Sequence, residues 1–119
     1  MPTKDSRLIV SEDNGVIKVR FLDRNILEEA NIQQIGDEIS QLIEGHENPK
    51  LLIDFSGVEH LSSAALGTLI TINNKVRSKS GQLRLCNIDP QIYEVFVITK
   101  LNKLFQIYED ADQAMASFK

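Results

Sequence analysis

One five-residue segment near the middle of the chain limits the fold more than any other. Residues 51–55 read Leu-Leu-Ile-Asp-Phe, a nearly continuous apolar run without the alternation of a strand that has one solvated face. Strands of this kind are buried on both faces, in the middle of a sheet. The segment therefore predicts an α/β fold in which amphipathic helices pack against a sheet.

The segments around this strand alternate between strand and helix patterns. Residues 8–10 and 16–22 are rich in β-forming side chains and are separated by Asn14-Gly15, which predicts an antiparallel hairpin. Further strands are predicted over residues 82–88 and 104–108. The predicted order is β-β-α-β-α-β-α-β-α, in one mixed sheet that is mostly parallel after its first hairpin.

Four helices are predicted from apolar spacing and from the residues at their ends. The first helix is predicted between Glu28 and Gly45, and the second over residues 64–80 with Gly81 as its stop. The third begins at Asp89-Pro90 and ends at a left-handed Asn102, and Asp110 caps the fourth. The side chains predicted to face the core are Ile32, Ile35, Ile39, Leu42, Ile43, Leu66, Leu69, Ile70, Val76, Ile92, Val95, Phe96, Thr99, Ala111, Ala114, Met115 and Phe118.

Length and charge narrow the possible functions. The 119 residues allow one domain, predicted over residues 8–118 after a flexible tail of residues 1–7. Seventeen acidic against 13 basic side chains give a net charge of −4, which argues against nucleic acid as a partner. No apolar stretch approaches the ~20 residues that span a bilayer, and the first residues lack the apolar core of a secretory signal. We therefore expect a cytoplasmic protein without membrane contact.

Candidate catalytic and metal-binding groups are few. Cys86 is the only cysteine and lies in an apolar run, which predicts a buried structural thiol. His46 and His60 have no partners at metal-ligand spacing. The chain contains neither the Gly-x-Ser-x-Gly elbow of serine hydrolases nor a glycine-rich nucleotide loop. We expect no enzyme activity, no cofactor and no metal.

The most informative segment runs from the buried strand through a polar loop to two serines at the predicted start of the second helix, residues 53–67. One serine is enough to cap the helix, and capping alone is one interpretation of the pair. The other hydroxyl then lies at a helix N-terminus, where free N–H groups and the helix dipole stabilise a bound or covalent phosphate.

This segment resembles the signature of STAS domains, specifically of bacterial anti-sigma factor antagonists. Asp54-Phe55-Ser56-Gly57-Val58 resembles the first half of that signature, and Leu61 with residues 63–67 resembles the second. The register set by Leu66-Gly67 implies that Ser63 is the phosphorylated serine. Ser62 stands where the family usually has Asp, and it is the second choice for the phosphorylated residue. The predicted order of elements over residues 8–118 is also that of the family.

The resemblance implies a partner switch in bacterial transcription regulation and stress response. In its unphosphorylated form such a protein binds an anti-sigma factor, a serine kinase with a histidine-kinase-like fold, and so releases a sigma factor to join RNA polymerase. Phosphorylation reverses this binding, and a phosphatase restores it. The contact residues implied by the family are Asp23, Asn25, Glu59, Ser62, Ser63, Ala64, Leu66, Gly67 and Thr68.

A second interpretation keeps the fold and omits the switch. Because Ser62 replaces the usual Asp, the chain could instead be a non-phosphorylated STAS interaction or scaffold module in a signalling complex. For either function we expect a monomer or a weak dimer.

Overall fold

The computed structural model describes residues 8–118, and the predicted tail of residues 1–7 lies outside the described residues. Its elements are β1 (Leu8–Asp13), β2 (Val16–Phe21), β3 (Asn25–Ile26), α1 (Glu29–Glu44), β4 (Lys50–Asp54), β5 (His60–Leu61), α2 (Ser63–Ser78), β6 (Gln82–Cys86), α3 (Pro90–Ile98), a 3₁₀ turn (Leu101–Lys103), β7 (Gln106–Tyr108) and α4 (Ala111–Ser117).

Five strands form the main sheet, in the order β1-β2-β4-β6-β7. β1 and β2 pair antiparallel through a turn at Asn14 and Gly15, whose φ angles of 53° and 80° are those of a tight hairpin. All the later neighbours, β2–β4, β4–β6 and β6–β7, are parallel. The predicted α/β class, with one mixed and mostly parallel sheet, is confirmed.

The predicted burial of β4 is also confirmed. Leu51, Leu52 and Ile53 are all 0% exposed. Leu51 and Ile53 belong to the larger core, to which α1, α2 and α3 contribute, whereas Leu52 belongs to a smaller core with Ala114 of α4. Helices therefore cover both faces of the sheet at this strand.

The lone cysteine is part of the smaller core. Cys86 ends β6, is 0% exposed and packs with Val16, Leu52 and Ala114. Burial, together with the negative charge of nearby Asp54, raises the pKa of the Cys86 thiol to about 12. A neutral, enclosed thiol fits the structural role predicted for it.

The third helix differs most from the sequence-based prediction. Val95 is 39% exposed and Thr99 is exposed, so neither faces the core as predicted, and only Ile92 and Phe96 of this helix are buried. The left-handed residue after the helix is Lys100, with φ 64°, rather than Asn102, which lies in the 3₁₀ turn. A helix of nine residues that inserts two side chains one turn apart presents only a narrow stripe to the core.

The turn between α2 and β6 contains a glycine required by close packing. Ser80 takes the left-handed conformation, with φ 57°, and Gly81 follows it. A Cβ atom on Gly81 would lie 2.3 Å from the carbonyl oxygen of Pro49 and under 3 Å from its ring. The Gln82 amide donates to that same oxygen at 2.8 Å, so the turn cannot move away without losing the hydrogen bond.

We predict that Gly81→Ala lowers the free energy of unfolding by about 1–3 kcal/mol, because the added methyl group meets backbone atoms. Gly45→Ala is the matched control, since its nearest atoms would be 3.7 Å away and its φ is −78°. We expect the control to change stability by less than about 0.5 kcal/mol. Urea unfolding followed by circular dichroism measures both, and equal effects would contradict the steric explanation.

Candidate functional site

The candidate site begins at the carboxyl end of β4, where a buried carboxylate organises the following loop. Asp54 is 7% exposed, and its Oδ1 accepts hydrogen bonds from the Ser56 hydroxyl, from the Ser56 amide at 2.9 Å and from Asn87 Nδ2 at 3.1 Å. Asn87 directly follows β6. One carboxylate thus joins the ends of two neighbouring parallel strands, and Gly57, with φ 84°, then redirects the chain.

The charge of Asp54 is favoured by these contacts. Burial by itself raises the pKa of the carboxyl group. The hydrogen bonds from Ser56 and Asn87, with the positive charge of Arg20 on β2, outweigh that effect and hold the pKa of Asp54 below its ordinary value. The site is therefore built around an ionised carboxylate at neutral pH.

This pKa direction gives a pH-dependent prediction. A lowered pKa in the folded state contributes stability above the unfolded value of about 3.9, and this is lost as the pH falls through the folded value. We expect Asp54→Asn to destabilise the protein by about 1–3 kcal/mol at neutral pH. Denaturation at several pH values should show this difference narrowing as the solution is acidified.

A difference between wild type and Asp54→Asn that does not change with pH would contradict this account. Glu59→Gln is the control, because it removes a carboxylate from an exposed ion pair with Arg24 at 3.7 Å. It should change stability by less than about 1 kcal/mol.

The loop after β4 is held against the loop after β2 by backbone hydrogen bonds. β5 pairs in parallel with β3, matching His60 with Asn25 and Leu61 with Ile26. The Glu59 amide donates to the Arg24 carbonyl at 2.7 Å, and the Ser62 amide donates to the Ile26 carbonyl at 3.1 Å. This small sheet was not predicted, because two-residue strands carry no periodicity.

The two serines at the start of α2 have different environments. Ser62 is the N-cap residue, half-buried, and its Oγ accepts from the Ala65 amide at 3.2 Å. Ser63 is the first helical residue and is exposed. Its hydroxyl has no hydrogen-bond partner among residues 8–118. The capping role thus belongs to Ser62, and the free hydroxyl of Ser63 lies beside the unpaired N–H groups of the first turn.

The fold and this strand–loop–helix segment match one family. The STAS domain family matches residues 10–114 of the chain. The chain belongs to the STAS domain family. The predicted family is thereby confirmed, and the match covers nearly all of the described residues.

Relatives of this STAS domain are known in sequence and in structure. BtrV of Bordetella bronchiseptica, provisionally named an anti-sigma factor antagonist, is 26% identical over 96 residues, which is 81% of this chain and 82% of BtrV. An anti-sigma-factor antagonist STAS domain protein from Planctomyces limnophilus has a TM-score of 0.85 at 23% identity, over 92% of this chain and 96% of that one. The phosphorylated form of the Bacillus cell fate determinant SpoIIAA has a TM-score of 0.69 at 17% identity, over 92% and 96% of the two chains.

Most of the contact residues implied by the family lie at the surface of this STAS domain. The exposed ones are Asn25, Glu59, Ser63, Ala64 and Gly67, and the half-buried ones are Asp23, Ser62 and Thr68. Leu66 does not belong with them, because it is 7% exposed and its side chain packs in the larger core. The helical period places Leu66 on the same face as Leu69, which is also buried.

Two exposed leucines flank β3 in the chain and were not predicted. Leu22 precedes β3 and is 59% exposed, and Leu27 follows it and is 53% exposed. Because the Ser62 amide bonds to the Ile26 carbonyl, Leu27 lies next to the start of α2. The only sequence signal for these leucines is an apolar residue on each side of a polar turn, which is also common in loops that bind nothing.

Two features of the described residues bear on metal and phosphate binding. Within residues 8–118, no group of three His, Cys, Asp or Glu side chains is arranged to hold a metal ion. A shallow depression of about 530 Å³ lies at the carboxyl ends of β4 and β6, where open α/β sheets often bind ligands. Glu59, Asp89 and Glu109 line it, and their carboxylates repel phosphate.

None of the helices in residues 8–118 combines the length and the apolar character that a bilayer crossing requires.

The environments of the two serines predict unequal effects of their substitution on stability. Ser62→Ala removes the cap of α2 and should lower the free energy of unfolding by about 1 kcal/mol. Ser63→Ala removes an exposed hydroxyl without a partner and should change it by less than about 0.5 kcal/mol. Thermal and urea unfolding of the two variants measure the difference. A larger effect for Ser63→Ala would reverse the assignment of the two hydroxyls.

Proposed function

We propose that this STAS domain is an anti-sigma factor antagonist that is regulated by phosphorylation of Ser63. Unphosphorylated, it binds an anti-sigma factor that is a serine kinase, and a sigma factor is released. Phosphorylation of Ser63 ends this binding, and a phosphatase restores it. The observation that carries the proposal is the exposed Ser63 hydroxyl at the N-terminus of α2, which has no hydrogen-bond partner among residues 8–118. It lies beside the loop of residues 22–28 that contains β3, here called the β3 loop.

The start of α2 suits a phosphoserine. A phosphate adds about −1.5 to −2 charges, and the free N–H groups and positive dipole end of the helix stabilise that charge. The first turn of α2 contains no acidic residue that would repel it. The helix is 16 residues long and buried along its inner face, so modification at its exposed first residue requires no change of fold.

The same phosphate would disfavour a bound partner. It would stand in the middle of a surface formed by the β3 loop and the first turn of α2. A partner carboxylate ~4 Å away would be repelled by up to roughly 4 kcal/mol per charge at an effective dielectric near 20. A hundredfold loss of affinity needs only about 3 kcal/mol. Electrostatic repulsion is therefore sufficient for a switch.

The exposed leucines supply the apolar part of the proposed contact. Leu22 and Leu27 lie before and after β3 in the chain, and Leu27 adjoins the start of α2. Apolar side chains at the centre of an interface contribute most of its affinity. The charged residues Arg24 and Glu59 form an exposed ion pair between the two loops and fit a polar rim. We propose that the protein acts by binding in the cytoplasm and has no catalytic activity of its own.

A second candidate function is supported by one departure from the family. Ser62 stands where the family usually carries Asp, and its hydroxyl is engaged as the helix cap. Without that carboxylate a kinase has one contact fewer, which favours a STAS interaction module that is never phosphorylated. Ser62 remains the second choice of acceptor.

Incubation with candidate anti-sigma kinases and ATP, followed by mass spectrometry, tests the proposal. We predict phosphate on Ser63 and its absence in Ser63→Ala, which should still bind the kinase. Ser63→Asp should weaken binding at least about thirtyfold, because it places a permanent charge in the contact. Ser78→Asp, at the exposed far end of the same helix, is the control and should bind normally.

Two outcomes would count against the switch. Partner binding without phosphorylation, together with normal binding of Ser63→Asp, would favour the interaction module. Phosphate confined to Ser62 would replace the proposed acceptor by the second choice.

A further inference from the structure

The strand β7 forms one open edge of the main sheet. It is the last strand in the order β1-β2-β4-β6-β7 and pairs only with β6 among the described residues. The backbone N–H and C=O groups on its outer side are therefore available to another strand, as at any uncovered sheet edge.

An apolar strip on one side of α3 reaches this edge at Tyr93. Tyr93 is 40% exposed and Val97 is 45% exposed, and they are four residues apart on one side of the helix. Tyr93 lines a groove of about 430 Å³ together with Ile107 and Tyr108 of β7. These four residues, Tyr93, Val97, Ile107 and Tyr108, make up what we call the β7 edge surface.

The charges at the two ends of this surface have opposite signs. Exposed Lys100 and Lys103 precede β7, and exposed Glu109 and Asp110 follow it. The ion pairs among residues 8–118 include none of these four side chains. The surface therefore has a basic end and an acidic end whose side chains form no ion pair among the described residues, and Asp110 also caps α4 by accepting from the Gln113 amide at 2.8 Å.

We propose that the β7 edge surface binds a second copy of this chain, by antiparallel pairing of the two β7 strands about a two-fold axis at Ile107. Such pairing joins the two sheets into one continuous sheet and keeps both α3 helices on the same face, side by side. Each apolar strip then covers the other.

Charge complementarity identifies a second copy as the occupant. An antiparallel two-fold arrangement brings the lysine end of each copy to the acidic end of the other, so that both sets of charges gain partners. An unrelated extended peptide would engage only the outer backbone of β7. With three residues in this strand, such pairing provides few hydrogen bonds, whereas a second α3 also covers Tyr93 and Val97.

The proposed interface lies away from the β3 loop, although Glu109 at its acidic end lines the same depression as Glu59 of the candidate site. β7 is at the opposite edge from the β1–β2 hairpin, and β4 and β6 separate it from the β3 loop that adjoins Ser63. This inference does not depend on the proposed function, and each can fail without the other.

Sedimentation of the full chain over a concentration series, from low micromolar to millimolar, tests the proposal. We expect a reversible monomer–dimer equilibrium for the wild type. Val97→Asp should raise the dimer dissociation constant about tenfold or more, because it places a charge in the apolar strip. Val95→Asp is the matched control, since Val95 is 39% exposed on the other side of the same helix, and it should self-associate like the wild type.

A charge exchange provides a second measurement that does not depend on the apolar strip. Lys103→Glu and Glu109→Lys should each weaken the dimer severalfold. The double variant Lys103→Glu/Glu109→Lys should regain wild-type affinity, because the two ends remain complementary. Circular dichroism verifies that each variant is folded. A wild type that remains monomeric at millimolar concentration would overturn the proposal. So would a dimer that Val95→Asp weakens as much as Val97→Asp does, or a double variant that does not regain wild-type affinity.

Discussion

The central strand β4 has no solvent-facing side, and the position of the surrounding elements depends on this. Leu51 and Ile53 must be covered on one face and Leu52 on the other, so helices are needed on both sides of the sheet at this strand. Burial on both faces also leaves the carboxyl end of β4 as the first place where the chain can carry polar groups. The loop that leads to the two serines therefore begins at Asp54, directly against the core.

Asp54 shows how a buried charge is retained at such a position. An unpaired carboxylate there would be neutralised by burial, yet three hydrogen bonds to Oδ1 keep its pKa low. Those bonds come from Ser56 in the following loop and from Asn87 after β6. The electrostatic requirement of one side chain thus orders the segment that positions β5 and the start of α2.

Much of the fold could be predicted because its signals are local. The turn at Asn14-Gly15, the isoleucines of α1 and the caps Asp89 and Asp110 each act within a few residues of sequence, and the structure has them as expected. The errors occur where distant packing decides. Val95 and Thr99 have helical spacing relative to Ile92, but α3 inserts only a narrow stripe into the core. Leu66 is predicted both to face the core and to contact a partner, and its burial confirms the first prediction and contradicts a place at the surface.

For the site, the sequence was sufficient to identify a serine pair at a helix start and the STAS family, because capping and motif spacing are properties of neighbouring residues. It could not assign the roles of the two hydroxyls, since Ser62 and Ser63 both meet the chemical requirements of a cap. Nor could it show that residues 25–26 pair with residues 60–61, because these hydrogen bonds join segments far apart in the chain. Only the folded arrangement exposes Ser63 beside Leu27 and leaves β7 at an open edge, since both depend on which segments pack next to one another.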